Sequence, residues 1–466
     1  MRDPAGIMTG VSVFRRVAGF ACALSLALPL AACDERPAPA GPLEPDPEPP
    51  NILLVITDDQ RASASMQALP AVRRLFGRGG RTFTNAFATT PLCCPSRASI
   101  VSGRYAHNHG VHTNDDGMGL DHDATLQRYL QDAGYRTAVV GKYLNRWDHG
   151  FDPPHFDKWA VWLRGIYRHS SFRFNGRVRR PEGYTTTLMT SMAERFLRGF
   201  ERNDEDPWYL WLGPNAPHSP YAAEHRYKGA KTKGWDGNPA TRDRDVSDEP
   251  PFIRSSQSSP EEARKVRRKQ LRTLYSVDDQ VQQVFALLEE LDEERDTLAI
   301  FMSDNGFLWG EHGITGKRYA YTQSIEIPLM IRWPGEIEAG STDDRLAANL
   351  DLAPTLLEAA GVEAPVELDG RSLLGAGTRR RLLVEQWGDE ETYVPTMASL
   401  RTNAYQYVEY YGRDKRVMAR QYYDLEVDPW QRRNLLGDDD ESNDPNVARL
   451  SRRLRADRRC SGAECP

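Results

Sequence analysis

"NILLVITDDQ", residues 51–60, is the stretch on which the fold turns. Seven uncharged residues, most of them aliphatic, end abruptly in two carboxylates. A short apolar run of this kind suits a strand buried on both faces, as in a parallel sheet sandwiched between helices. Such sheets gather ligands at the carboxyl ends of their strands, which is where Asp58 and Asp59 fall. An aspartate pair there serves equally well to cap a following helix. A second stretch of the same construction, "DTLAIFMSDNG" (296–306), runs into Asp304, Asn305 and a glycine. Together the two strands offer four oxygen-bearing side chains at one end of one sheet. Oxygen donors without sulfur suit a hard divalent cation such as Ca2+ or Mg2+.

Outward from these strands, helix and strand patterns alternate. "ALPAVRRLFGRGG" (68–80) and "TLQRYLQDAGY" (125–135) read as helices, "RTAVVGKYL" (136–144) and "WYLWLGPNAPHSPY" (208–221) as strands entering polar loops. Leu271, Leu274, Val277, Val281, Val284, Leu288 and Leu291 recur at helical spacing between Pro260 and Asp292. "IPLMIRWPG" (327–335) and "LAPTLLEAAG" (352–361) continue the alternation. The expected fold is α/β, a large mostly parallel sheet flanked by helices. From Arg379 the pattern changes to short strands, which predicts a smaller antiparallel C-terminal subdomain. The stretch from Tyr227 to Pro260 lacks periodicity and reads as a long surface loop near the site mouth. It joins 164–190 as a loop expected to shape substrate choice.

The first 33 residues belong to export. Arg15 and Arg16 precede the apolar "VAGFACALSLALPLAAC" (17–33), too short for a spanning helix. "LAAC" (30–33) has the form of a lipobox, with Cys33 as the lipid anchor; a plain secretory signal is the simpler alternative. "DERPAPAGPLEPDPEPP" (34–50) is an acidic, Pro-rich tether. The expected organisation is signal 1–33, tether 34–50, catalytic domain 51–378, C-terminal subdomain 379–436 and polar tail 437–466. The formal net charge of −6 argues against a general polyanion binder, so no nucleic-acid partner is expected. The basic runs "FNGRVRR" (174–180) and "ARKVRRKQLR" (263–272) read as solvated faces.

Of the six cysteines, Cys460 and Cys465 are spaced to close a small disulfide loop. Cys93 and Cys94, in "TTPLCCPSRASIVSGRY" (89–105), are neighbours whose mutual disulfide would be strained. "PSRASIVSG" reads as a helix, which puts Cys93 just ahead of a helix N-terminus that favours an anion. Arg97 adds a fork for a tetrahedral oxyanion. An exported thiol tends to oxidise, and a thiolate is a poor partner for a hard metal, so something harder than sulfur is wanted there.

Cys-x-Pro-Ser-Arg followed by a helix and Ser-Gly-Arg resembles the sulfatase signature. "NILLVITDDQ", "SDNGFLWGEHGITGK" (303–317), "APHSPY" (216–221) and "YYDLEVDPWQRRNL" (422–435) are similar to further sulfatase motifs, over about residues 51–436. "TTPLCCPSR", "HNHGVHTN" (107–114) and "GKYLN" (141–145) resemble the N-acetylglucosamine-6-sulfatases and extracellular heparan-type sulfatases. The resemblance implies an alkaline-phosphatase-like fold and a Cys93 converted to formylglycine by a formylglycine-generating enzyme. It also implies one Ca2+ held by Asp58, Asp59, Asp304, Asn305 and residue 93. The hydrated aldehyde would attack sulfur, with Arg97 stabilising the diol. Lys142, His218 and Lys317 would hold the sulfate and protonate the leaving alcohol.

Many sulfatases carry histidine two places beyond the lysine; here that place is Leu144, and Asn145 is the candidate substrate contact. Trp147 and Asp148 are candidates to line the sugar site. His107, His109, His112 and His312 read first as hydrogen-bonded core or loop residues, with His109 open to a pocket role. The expected substrate is a sulfated sugar, met outside the cytoplasm by a protein either lipid-anchored at the outer side of the cytoplasmic membrane or secreted. Two alternatives stand beside this: a phosphoester or phosphonate monoester hydrolase of the same fold, and an unmodified lipid-anchored carbohydrate-binding protein.

Overall fold

The computed structural model describes residues 48–203, 206–242, 245–388 and 394–466. The export signal with Cys33, and the tether up to residue 47, lie outside the described residues. Among the described residues no helix is long and apolar enough to cross a membrane.

Strand β1 (Asn51–Thr57) is buried along its whole length. Its side chains alternate, so Ile52, Leu54 and Ile56 enter one core while Leu53 and Val55 enter another. Each of these five is at most 1% exposed, worth about 2 kcal/mol apiece. The sheet continues with β2 (Arg81–Phe83), β3 (Arg136–Gly141), β4 (Lys158–Arg164), β5 (Ser171–Phe174) and β6 (Arg177–Arg179). It is completed by β7 (Trp208–Gly213), β8 (Thr297–Ser303), β9 (Leu329–Arg332) and β10 (Ser341–Asp343). The strand order is β10-β2-β9-β8-β1-β7-β3-β4-β5-β6. The central five, β8-β1-β7-β3-β4, are mutually parallel. Strand β9 runs antiparallel beside β8, and β5 and β6 form an antiparallel hairpin beyond β4.

Helices α1 (Cys93–Ser102), α2 (Leu126–Asp132), α3 (Thr185–Phe200), α4 (Pro260–Glu290) and α5 (Leu352–Ala359) cover the sheet. Residues of α1, α2 and α5 share the core of Ile52, and residues of α3 and α4 the core of Leu53. Ser259 caps α4 by accepting from the Glu262 N–H, and Pro260 occupies its first position. Its stripe from Leu271 to Leu288 is buried as the spacing predicts. The C-terminal sheet is antiparallel, β11 (Leu382–Gln386), β12 (Thr396–Arg401), β13 (Tyr405–Tyr411) and β14 (Val417–Asp424) in that order. The α/β reading with a separate small antiparallel sheet therefore holds.

Three expectations need correction. Residues 164–190 are not a loop: they hold β5, β6 and the start of α3. The segment 227–260 is not free surface, because short helices Pro239–Arg242 and Pro251–Arg254 interrupt it. Glu249 within it is 4% exposed and accepts hydrogen bonds from Gln421 and Tyr423 of β14. Within the polar tail, α6 (Val447–Asp457) buries Leu454 against the C-terminal sheet, and Cys460 and Cys465 are disulfide-bonded. Finally, Cys93 is the first residue of α1, not a residue ahead of it, with extended Leu92 as the cap.

Candidate active site

The site forms where β1, β3 and β8 end and α1 begins. Asp58 and Asp59 follow β1, and Asp59 adopts a left-handed backbone (φ 68°). Asp304 and Asn305 follow β8, tied across by the Asp304 N–H donating to Thr57 O at 3.1 Å. The Asp59 N–H in turn donates to Asp304 Oδ1 at 3.1 Å, and Asn305 Nδ2 to Asp59 Oδ1 at 2.9 Å. Parallel pairing of β1 with β8 thus sets the two acidic loops side by side.

The thiol of Cys93 enters this ring, 3.3 Å from Asp58 Oδ1 and 3.7 Å from Asp59 Oδ1. Lys142, one residue past β3, donates to Asp58 Oδ2 at 2.7 Å. Lys317 Nζ donates to Asp59 Oδ1 and approaches the Cys93 sulfur at 2.7 Å. Arg97, one turn into α1 and fully buried, donates from Nε to Asp304 Oδ2 and from Nη1 to the Lys142 carbonyl, each at 2.8 Å. Its Nη2 has no protein partner among the described residues. His218 stands at the rim with Nε2 3.8 Å from Asp59 Oδ2. Its Nδ1 faces the Ser219 carbonyl at 2.8 Å, and its own carbonyl accepts from Tyr167 Oη at 2.6 Å.

Charges of both signs balance inside this buried cluster. Burial works to raise the Asp58 carboxyl, but Lys142 and then His218 hold it at about 2. Burial likewise opposes ionisation of Asp59, and Lys317 outweighs it. Burial, then the Asp58 carboxylate, pushes the Cys93 thiol far above its ordinary range. A thiol so placed stays neutral, so the unmodified residue is a poor nucleophile. Asp58, Asp59, Cys93 and His218 place ligand atoms within 4.8 Å of one another, and the two carboxylates among them suit a hard cation; Asp304 and Asn305 hydrogen-bond to Asp59 beside that group.

Asp58, Asp59, Cys93, Arg97, Lys142, His218, Asp304, Asn305 and Lys317 are therefore brought into one cluster; Asn145 stands outside it, and Trp147 and Asp148 line a separate pocket with Leu144 and Trp162. Asp304 stands one hydrogen bond behind Asp59. The Asn145 backbone meets Cys94, and its side-chain Oδ1 is buried without a hydrogen-bond partner among the described residues. His109 bonds to Ser99 Oγ and to the Val111 N–H in its own segment, and His312 stacks on Tyr321 at 3.7 Å, so both are structural.

Sequence reasoning missed the support behind the cluster. Glu311 Oε1 accepts from Arg61 Nη1 and Asn238 Nδ2, each at 2.7 Å, and its Oε2 from the Trp309 N–H at 2.6 Å. Arg61 also lies over the Trp309 ring, 4.5 Å from its centroid. Ser96 Oγ donates to the Asp304 carbonyl and accepts from Asn349 Nδ2 at 2.8 Å, locking α1 to the β8 loop.

Comparison with known proteins agrees with this architecture. Residues 50–362 match the sulfatase family, and residues 310–459 match the C-terminal region of N-sulphoglucosamine sulphohydrolase. The chain belongs to the sulfatase family. It is 33% identical to an extracellular sulfatase of Caenorhabditis elegans over 346 residues, 70% of this chain and 48% of that one. With an extracellular sulfatase of Drosophila melanogaster the identity is 32%, over 73% of this chain and 32% of that one. The chain thus spans about half and about a third of these two relatives. Human N-acetylglucosamine-6-sulfatase is 30% identical over 89% of this chain and 86% of its own. Among solved structures, one bound to its substrate D-glucosamine-2-N,6-O-disulfate superposes with a TM-score of 0.74 at 24% identity, covering 88% of this chain and 97% of that one. A phosphonate monoester hydrolase from Silicibacter pomeroyi gives 0.70 at 23%, covering 87% and 94%. Both likenesses speak to fold.

Proposed function

We propose that this protein is an exported hydrolase of sulfate esters on sugars, with a unit of the N-acetylglucosamine-6-sulfate type as substrate. The observation that carries this reading is the buried ring around Cys93: acidic on one side, cationic on the other, with the side chain at the head of α1. Formylglycine made from Cys93 by a modifying enzyme, together with a Ca2+ ion held by Asp58, Asp59, Asp304 and Asn305, supplies the nucleophilic hydroxyl for such a reaction.

The chain's own residues do the rest. Lys142 and Lys317 keep two positive charges beside residue 93, where the oxygens of a sulfate group would lie, and their burial strengthens the attraction. Arg97 sets the orientation of α1 against the β8 loop through its two hydrogen bonds. The Nδ1–H of His218 donates to the Ser219 carbonyl, so general-acid action from Nε2 uses the doubly protonated ring, whose Nε2–H would pass to the departing sugar oxygen and leave the neutral Nδ1–H form. The half-exposed rim position of His218 suits a leaving group that must exit to solvent. Catalysis belongs to residues 51–378 in this reading, while the N-terminal segment exports the chain and anchors it through Cys33 or is cleaved away.

The test is release of inorganic sulfate from N-acetylglucosamine-6-sulfate by the native protein and its Cys93→Ala and His218→Ala variants. The reading expects turnover by the first, none above background for Cys93→Ala, and a loss of about 100-fold or more for His218→Ala. Undiminished turnover by Cys93→Ala would refute it.

A further inference from the structure

The hairpin at the edge of the main sheet carries a charge that the reaction at Cys93 does not use. Residues 158–182 hold seven lysines and arginines against one glutamate, in a chain whose net charge is −6. Only Arg173 of these is committed, to Asp152 and to the His149 carbonyl. Arg164, Arg168, Arg177, Arg179 and Arg180 are exposed, and none forms an ion pair with a carboxylate among the described residues.

Strand register places them in a line leading to the site. Gly141 of β3 lies level with Val161 of β4, so Lys142 and Arg164 leave the sheet at the same end. Across the hairpin, Trp162, Phe172 and Arg179 are in register, as are Ala160, Phe174 and Arg177. Arg177 and Arg179 therefore share one face of the edge strand, and Arg180 continues toward the site end. The loop joining β4 to β5 touches the catalytic rim directly, through the Tyr167 hydrogen bond to the His218 carbonyl. Where β3 and β4 end lies an open pocket of about 450 Å³, walled by Leu144, Arg146, Trp147, Asp148, His149 and Trp162. Trp147 and Trp162 offer apolar ring surface there, and His149 a polar group.

We propose that the pocket and the arginine edge form a binding track for the chain of a sulfated polysaccharide flanking the sugar at Cys93. This rests on the sulfatase reading and extends it from a sulfated sugar to a sulfated polymer. Charges on an edge strand also deter strand addition between molecules. That purpose requires basic residues on β6 alone and does not explain Arg164 and Arg168 at the site end. A row of unpaired arginines suits closely spaced sulfates, whose counterions are released on binding.

The experiment uses the native protein, an Arg177→Ser/Arg179→Ser/Arg180→Ser variant, and an Arg449→Ser/Arg452→Ser/Arg453→Ser control on the exposed face of α6. Heparin is the polymeric probe and N-acetylglucosamine-6-sulfate the small one. The hairpin variant is expected to lose about tenfold or more of its heparin affinity at physiological salt, with a shallower salt dependence. Its kcat/KM on the monosaccharide should stay within about twofold of native, and the α6 control should match native on both probes. Native-like heparin affinity in the hairpin variant would overturn the proposal. So would a loss that follows the α6 control, or tighter binding of the native protein to phosphatidylglycerol vesicles than to heparin. If heparin affinity falls as expected but no protein hydrolyses the monosaccharide sulfate, the binding track stands and the sulfatase reading fails.

Discussion

Replacing Glu311 by glutamine removes one charge from the most buried part of the support behind the acidic loops. The carboxylate is fully buried and accepts three hydrogen bonds, from Arg61, Asn238 and the Trp309 N–H. A glutamine has one acceptor oxygen in place of two. Either Arg61 and Asn238 or the Trp309 N–H then faces an amide NH2, and Arg61 keeps its charge in the interior without a counter-charge. Breaking a buried pair from one side costs about 3–5 kcal/mol. The orphaned N–H lies within the same disturbance, so we expect about 4 kcal/mol in total. Because Arg61 is two residues from Asp59, the loosened loop should also bind Ca2+ more weakly. Urea unfolding followed by tryptophan fluorescence gives the first quantity, and calcium titration of the folded variant the second. The double variant Arg61→Met/Glu311→Gln removes both charges while the amide oxygen still accepts from the Trp309 N–H, and it should recover much of the lost stability. A cost below about 1 kcal/mol for Glu311→Gln, or a double variant less stable than the single one, would refute this reasoning.

Glu249 gives a pH test of opposite sign to the usual carboxylate. Burial pushes its carboxyl up to about 7 against an ordinary value of 4.5, so its contribution is intact below 4.5 and is lost as pH rises through 7. Glu249→Gln should flatten that fall, about 3 kcal/mol, in urea unfolding at pH 4.5 and 7.5; an unchanged slope would count against it. His107 bridges Glu385 at 2.7 Å and the Cys460 carbonyl at 3.0 Å. Burial opposes its charge, but Glu385 prevails and raises the pKa. Its stabilising share is thus full below about 6.5 and lost as pH rises through the raised value, so His107→Phe should lower melting temperature more at pH 5.5 than at pH 8.5. Asp278 of α4 accepts from the Ala71 and Val72 N–H groups, each at 3.0 Å, capping the helical segment from Pro70. Asp278→Ala should cost about 2 kcal/mol in urea unfolding, and Asp278→Asn less.

Legibility followed the kind of force involved. The two acidic strands could be read because double-faced burial leaves an uninterrupted apolar run, and the carboxylates stand where that run stops. The stripe of α4 showed for the same reason. The β5–β6 hairpin was harder: Arg173 separates Phe172 and Phe174 on β5, and the edge strand β6 carries Arg177 and Arg179, so the apolar signal is diluted, although Asn175-Gly176 at its tip is a hairpin turn signal. Residues 227–260 have no periodicity because they are anchored at separate points, by the buried polar groups of Asn238 and Glu249 and by Ile253, and not along one apolar face. Glu311 could be seen in sequence, but its partner Arg61 lies 250 residues away, and nothing local links them. The cluster at Cys93 was found through its motifs; the arrangement of Lys142 on Asp58 and Lys317 on Asp59 depends on strand register that no local pattern reveals.

The account stands or falls on the chemical state of residue 93. Mass spectrometry of the tryptic peptide "TFTNAFATTPLCCPSR" (82–97), from protein made in its native host, reads that state directly. The account predicts an aldehyde at residue 93 beside an alkylatable Cys94. Two intact thiols in protein that still releases sulfate from a sugar would contradict it.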